Sequence, residues 1–77
     1  MMNDQLKRVF SEVLEIRETE VSPDLSMQTA RSWDSLAQLR LVSAIESQFG
    51  VRFTMDQIGK LQDFQSFSSA LAEHPDA

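Results

Sequence analysis

One serine in this sequence stands where a hydroxyl group can accept a covalent modification. Ser35 follows Asp34, a natural N-cap residue, and precedes Leu36 and an apolar repeat that predicts a helix. The first N–H groups of a helix have no partner within it, and the helix dipole is positive at that end. A phosphate ester on Ser35 would therefore lie where negative charge is stabilised. The same residues also fit a plain cap and first turn, so both interpretations stay open at this point.

Two long amphipathic helices are predicted around this serine. The first spans about 3–17 and can be capped by Asn3 or Asp4, and the second spans 35–49 and ends at Gly50, a residue typical of the position after a helix. Their apolar residues recur at helical spacing, so each helix should bury one face. The predicted faces are Leu6, Val9, Phe10, Val13, Leu14 and Ile16 in the first helix, and Leu36, Leu39, Leu41, Val42, Ile45 and Phe49 in the second.

A long polar loop and two further helices complete the predicted fold. The loop covers 18–32, a short helix spans 55–61 after its cap Thr54, and a last helix spans 64–73 after its cap Asp63. The sequence therefore predicts an all-α fold, a small four-helix bundle of three longer helices and one short helix, with the long loop between helices 1 and 2. The apolar anchors are Val21, Leu25 and Met27 in the loop, Ile58 and Leu61 in the short helix, and Phe64, Phe67, Ala70 and Leu71 in the last.

Composition narrows the class of protein. The 77 residues suit one domain, 1–77, and they include no cysteine and one histidine, His74, so we expect neither disulfides nor a metal site. The net charge of −5 disfavours nucleic-acid partners, and no apolar run is long enough for a membrane span. No nucleophile and base stand at useful spacing. We therefore expect a cytoplasmic, monomeric, non-catalytic protein.

The stretch Trp33-Asp34-Ser35-Leu36 resembles the attachment motif of acyl carrier proteins, and 41–51 resembles the second helix of that family and its exit turn. The resemblance extends from about Leu6 to Leu71. It implies that a phosphopantetheinyl transferase moves a 4′-phosphopantetheine arm from coenzyme A onto Ser35, with Asp34 as the neighbouring motif residue. It also implies that acyl intermediates travel on the arm as thioesters, while acyl-loading and acyl-transferring enzymes perform the chemistry.

The resemblance also indicates where partner enzymes would dock. Leu36 lies beside the serine, and Arg40 and Ser43 follow it along the same edge, so these three residues are the predicted docking residues. For Leu36 core packing is the alternative, and for Arg40 a solvated surface charge. Ala37 and Gln38 are predicted to point outward with Arg40.

The pathway and the cargo class stay open. Family members in primary fatty acid synthesis carry an acidic second helix, but here only Asp34 and Glu46 are acidic between 34 and 50. This favours a specialised biosynthetic pathway, with fatty acid or polyketide biosynthesis as the general class. An aminoacyl, peptidyl or D-alanyl carrier would use the same serine, and a helical adaptor without a prosthetic group is the alternative from another class. Asp34 before Ser35 favours the acyl type.

The interior of the bundle bears on the size of the cargo. In many family members a growing acyl chain shelters between the helices. Here large aromatic side chains are expected to fill that space, which favours small or polar cargo held outside. Trp33 is expected to seal the loop against the bundle, and Met27 and Met55 to fill gaps in the core. The aromatic residues concerned are Phe10, Phe49, Phe64 and Phe67.

Overall fold

A computed structural model describes residues 4–72 and confirms the predicted bundle of four helices. Residues 4–72 contain no β-strand, and none of their helices has the length and apolar character needed to cross a bilayer. The predicted cap Asn3 and the predicted helix end at Glu73, with His74, lie outside the described residues. The helices are α1, Asp4–Leu14; α2, Ser35–Phe49; α3, Met55–Lys60; and α4, Phe64–Ala72. The segment between α1 and α2 contains one 3₁₀ turn, Glu18–Glu20.

The end of α1 differs from the prediction. The helix stops at Leu14 instead of continuing to residue 17, because Glu15 adopts a left-handed conformation with φ 56°. The N–H of Ile16 then donates to the carbonyl of Ser11 at 3.1 Å, and the Ser11 hydroxyl donates to the carbonyl of Ile16 at 2.6 Å. The first of these bonds is the one that closes a Schellman motif, in which glycine is the usual residue at the left-handed position.

This helix end gives a stability prediction. Glu15→Gly should raise the free energy of unfolding by about 1 kcal/mol, because glycine adopts the left-handed conformation without the steric cost that a Cβ brings. Glu12→Gly is the matched control, since it removes the same charge from an exposed position inside α1 and should lower stability by about 1 kcal/mol. Urea unfolding followed by circular dichroism measures both. A loss of stability in both variants would contradict the role of the Glu15 conformation.

The bounds of α2 are confirmed, but two residues of its predicted buried face lie on the surface. Leu36 and Leu39 are 59% and 60% exposed. Leu36 precedes Ile45 by nine residues, about two and a half helical turns, so the two side chains lie on opposite sides of α2. The prediction was wrong for Leu36 and Leu39, because it followed every apolar residue instead of the i, i+3, i+4, i+7 stripe. The face that is buried consists of Ala37, Gln38, Leu41, Val42 and Ile45.

One continuous core joins the four helices. Its centre is aromatic: the ring of Phe10 meets those of Trp33, Phe64 and Phe67 edge to face, at centroid distances of 5.3, 5.0 and 5.3 Å. Phe53, on the extended connector between α2 and α3, packs against Phe67 at 6.4 Å. These T-shaped contacts are a preferred geometry for aromatic rings, so the interior is filled by well-packed side chains. Phe49 is half-buried at the edge of this core.

Backbone hydrogen bonds tie the long loop to the turn between α3 and α4. The N–H of Met27 donates to the carbonyl of Gln62 at 3.0 Å, and the N–H of Phe64 donates to that of Leu25 at 2.8 Å. The second bond satisfies an N–H group that α4 cannot pair internally, and the Asp63 carboxylate accepts from the Ser66 N–H at 2.7 Å, as its predicted capping role requires. The loop is therefore held against the bundle before it reaches Ser35.

The short helix α3 meets the core through its C-terminal end. Thr54 and Gln57 form the predicted cap: the Thr54 hydroxyl accepts from the Gln57 N–H, and the Gln57 side chain accepts from the Thr54 N–H. Leu61, directly after α3, is buried. Met55, the first residue of α3, is 81% exposed, so its predicted role as a core filler is wrong. The beginning of α3 lies outside the core, and the apolar side chain of Met55 contributes to the surface.

Candidate functional site

Ser35 is the first residue of α2, and its side chain is exposed. Asp34 caps the helix: its carboxylate oxygen Oδ1 accepts from the Ala37 N–H at 2.9 Å, while its carbonyl accepts from the Gln38 N–H at 2.9 Å. The N–H groups of Ser35 and Leu36 therefore keep no acceptor within the helix. The exposed hydroxyl group of Ser35 therefore lies beside backbone N–H dipoles that stabilise an anion.

A buried amide fixes the segment that leads into Ser35. The indole N–H of Trp33 donates to Oε1 of Gln38 at 2.8 Å, and Nε2 of Gln38 donates to the carbonyls of Ile58 and Leu61 at 3.1 and 2.7 Å. Trp33 is 2% exposed, which confirms that it seals the loop against the bundle. These three bonds join the residues before Ser35, α2 and the end of α3. The position of the serine is thus set by a network on its core side.

A groove begins at the serine. We call it the Ser35 groove; it has a volume of about 330 Å³ and lies between the long loop, α2 and α3. Met27, Leu39 and Ile58 provide its apolar walls, so an uncharged chain attached to Ser35 could lie along it. A larger groove of about 550 Å³, beside Lys60 and Asp63, lies between α3 and α4 and is more polar. The lining of the Ser35 groove is Met27, Ser35, Gln38, Leu39, Ile58, Gly59 and Gln62.

The exposed side of α2 forms a second feature of the site. Leu36 lies three and four residues before Leu39 and Arg40, and Ser43 follows those two at the same spacings, so the four side chains share one face. All four are exposed. Core packing as the alternative role of Leu36 is thereby excluded. The face, which we call the α2 outer face, begins beside Ser35 and points away from the buried stripe.

Sequence reasoning missed Gln38. We predicted that Ala37 and Gln38 point outward, and this was wrong, because both are buried. The signal was available: Gln38, Leu41, Val42 and Ile45 form an i, i+3, i+4, i+7 stripe, and a glutamine within such a stripe must pair its amide groups. Its partners are a tryptophan five residues earlier and two carbonyls 20 and 23 residues later, and the spacing of the sequence did not indicate them.

The arrangement defines a class of protein: a small helical bundle that presents a serine hydroxyl at the entrance of its second helix, beside an apolar groove. Residues 4–71 match the family model described as the phosphopantetheine attachment site, and the chain belongs to that family. The chain is also 32% identical over 71 residues to a protein named acyl carrier protein from Streptomyces coelicolor, with 91% of this chain and 77% of that protein covered. The predicted resemblance to acyl carrier proteins is confirmed.

Family membership identifies the prosthetic group as a covalently attached 4′-phosphopantetheine, as predicted. The residues around Ser35 fit such a group: the hydroxyl is exposed, two neighbouring N–H groups have no acceptor within the helix, and an apolar groove starts there. Within residues 4–72 no cluster of three or more His, Cys, Asp or Glu side chains could hold a metal ion.

Proposed function

We propose that the chain carries acyl groups as thioesters on a 4′-phosphopantetheine arm attached to Oγ of Ser35. The observation that carries this proposal is the exposed serine at the first position of α2, next to Asp34 and at the mouth of the Ser35 groove. The match to the attachment-site family over residues 4–71 supports it, and the name of the Streptomyces coelicolor relative favours acyl over aminoacyl cargo.

Attachment would proceed by substitution at phosphorus. Oγ of Ser35 forms a bond to the phosphorus atom that bears the pantetheine of coenzyme A, the bond from that phosphorus to the bridging oxygen breaks, and 3′,5′-ADP leaves. The hydroxyl proton would pass to a base supplied by the transferase, and magnesium would enter with that enzyme and its coenzyme A. The contribution of this chain is to keep the hydroxyl exposed and to place it beside N–H groups that favour the negative phosphodiester.

When bound, the arm supplies a thiol that can form thioesters. We propose that the chain itself contributes no catalytic group to the later reactions, and that acyl-loading and acyl-transferring enzymes perform them. The role of this protein is then to hold and present the cargo. We also infer that residues 1–77 act as a single acyl carrier domain, which the continuous core supports. The cytoplasmic location and the monomeric state stay predictions.

The α2 outer face is the proposed docking surface for those enzymes, with Leu36, Arg40 and Ser43 as contacts. Arg40 makes no ion pair with any residue of 4–72, so its charge is available to a partner. The one acidic side chain within α2, Glu46, accepts a hydrogen bond from the Phe53 N–H at 2.9 Å and is half-buried. The α2 outer face therefore contains no acidic residue: its members are two leucines, an arginine and a serine. This supports a specialised pathway, since it lacks the acidic second helix of fatty-acid-synthesis carriers.

Mass spectrometry tests the attachment directly. The purified chain, incubated with coenzyme A, magnesium and a promiscuous phosphopantetheinyl transferase, should gain one arm, about 340 Da by covalent addition. Fragmentation should place the added mass on the peptide that contains Ser35. If several transferases of different specificity add nothing to the folded protein, the proposal is wrong and a helical adaptor without a prosthetic group is favoured.

A further inference from the structure

The side chain of Gln38 lies between the Ser35 groove and the interior of the bundle. It lines the groove, yet it is only 8% exposed and its amide is committed to three hydrogen bonds. Oε1 accepts from the Trp33 indole, and both N–H bonds of Nε2 are directed to carbonyls at the end of α3. It is the one buried polar side chain within residues 4–72, and none of its atoms there is left without a partner.

Behind Gln38 the interior is already occupied. Trp33 packs edge to face on Phe10 at 5.3 Å, and its ring lies 6.1 Å from that of Phe67. A chain entering from the groove would have to displace these rings. It would also have to break the bonds of Gln38, which would leave the Trp33 indole N–H and the Leu61 carbonyl unpaired in a buried position, whereas the Ile58 carbonyl would keep the N–H of Leu61. Proteins rarely tolerate such unpaired buried groups.

We infer that Gln38 closes the bundle interior to the cargo, so that an acyl group attached through Ser35 stays in the surface groove and remains open to solvent and to partner enzymes. The inference rests on the proposed function. Gln38 acts here as a positioning residue: it holds α3 and Trp33 in place and does not touch the thioester. The groove has apolar walls and about 330 Å³ of space, so part of the arm or a short acyl group can lie in it at the surface.

The accessibility of the thioester tests this inference. A promiscuous transferase can load the chain from acetyl-coenzyme A or octanoyl-coenzyme A, and mass spectrometry then follows cleavage of each thioester by hydroxylamine. Each rate is divided by the rate for the same free acyl-coenzyme A. In the wild type, the two normalised rates should agree within about twofold, because neither cargo is withdrawn from water. Protection of the octanoyl thioester by about tenfold or more, with no protection of the acetyl thioester, would overturn the inference.

Variants then test Gln38 itself. Gln38→Ala removes all three bonds and leaves space, so the octanoyl thioester should become several-fold better protected than the acetyl thioester. Gln62→Ala is the matched control: Gln62 also lines the groove, but its amide bonds only to the nearby Gly59 carbonyl, so its variant should behave like the wild type. The fluorescence of Trp33, the one tryptophan, should respond to octanoyl loading in Gln38→Ala and not in the wild type.

The variant and loading experiments have three further outcomes. If Gln38→Ala folds and shows no chain-length dependence, the aromatic packing alone excludes the cargo and the role of Gln38 is wrong. If Gln38→Ala does not fold by circular dichroism, Gln38→Met keeps most of the side-chain volume without the three bonds, and the same comparison applies to it. A failure of loading with several transferases, seen as no gain in mass, would contradict the proposed attachment at Ser35 and would remove the basis of the inference with it, whereas protection of a loaded octanoyl thioester contradicts the closed interior alone.

Discussion

Ser35→Ala should abolish the gain of the phosphopantetheine arm completely while leaving the fold intact. The substitution removes the oxygen that would bond to phosphorus, and no other exposed serine within residues 4–72 stands at the start of an α-helix. The stability should change by no more than about 0.5 kcal/mol, because the side chain is exposed and alanine is a better helix former than serine. Asp34 continues to cap α2 in the variant.

The matched control for this experiment is Ser32→Ala. Ser32 is also exposed and lies three residues earlier, but it belongs to the loop and has no helix entrance behind it. This variant should be modified to the same extent as the wild type. Intact-mass measurement of both variants tests the attachment of the arm, and urea unfolding tests the stability. A mass gain in Ser35→Ala would place the arm on another residue, and a loss of several kcal/mol would mean that the Ser35 side chain has a structural role.

Phe10→Ala should lower the free energy of unfolding by about 3–5 kcal/mol, the usual cost of removing a buried phenylalanine side chain. Phe10 is fully buried and contacts three aromatic rings from two other parts of the chain: Trp33 before α2, and Phe64 and Phe67 of α4. For a domain of this length the total stability is roughly 4–12 kcal/mol, so the loss is a large share of it.

Phe49→Ala provides the comparison for Phe10→Ala. Phe49 has the same side chain at the end of α2, but it is half-buried and packs against the core from its edge. Its removal should cost about 1–2 kcal/mol, since less apolar area returns to water. Urea unfolding, followed by circular dichroism and by Trp33 fluorescence, measures both variants. Equal losses would show that the aromatic centre is not the main source of stability.

Local signals in the sequence were sufficient to place most of the helices and the candidate serine. Asp34 and Gly50 mark the two ends of α2 by chemistry that acts within a few residues, a carboxylate that pairs with an early N–H and a glycine at φ 68°. Thr54 and Asp63 act in the same way at α3 and α4. Such caps depend on the backbone next to them, so they can be predicted without knowledge of the rest of the fold.

The end of α1 and the faces of α2 show where these signals failed. Glutamate has no preference for the left-handed conformation, so nothing at Glu15 indicated that α1 stops at Leu14. Leu36 and Leu39 are as apolar as the core leucines, and they lie on the surface because α1 packs against the other side of α2. An apolar residue type favours burial, but α2 has only one buried side. The elements that pack against the helix determine which side that is, so the residue types alone could not identify it.

Sequence alone determined that this chain is a helical domain with a capped serine at the entrance of its second long helix, because those features arise from contacts between residues a few positions apart. Only the tertiary structure decided that Gln38 pairs with Trp33, Ile58 and Leu61, and that the long loop is bonded to the turn before α4. These contacts join segments that are distant along the chain. Their partners are set by how the helices pack in space, which no local pattern records.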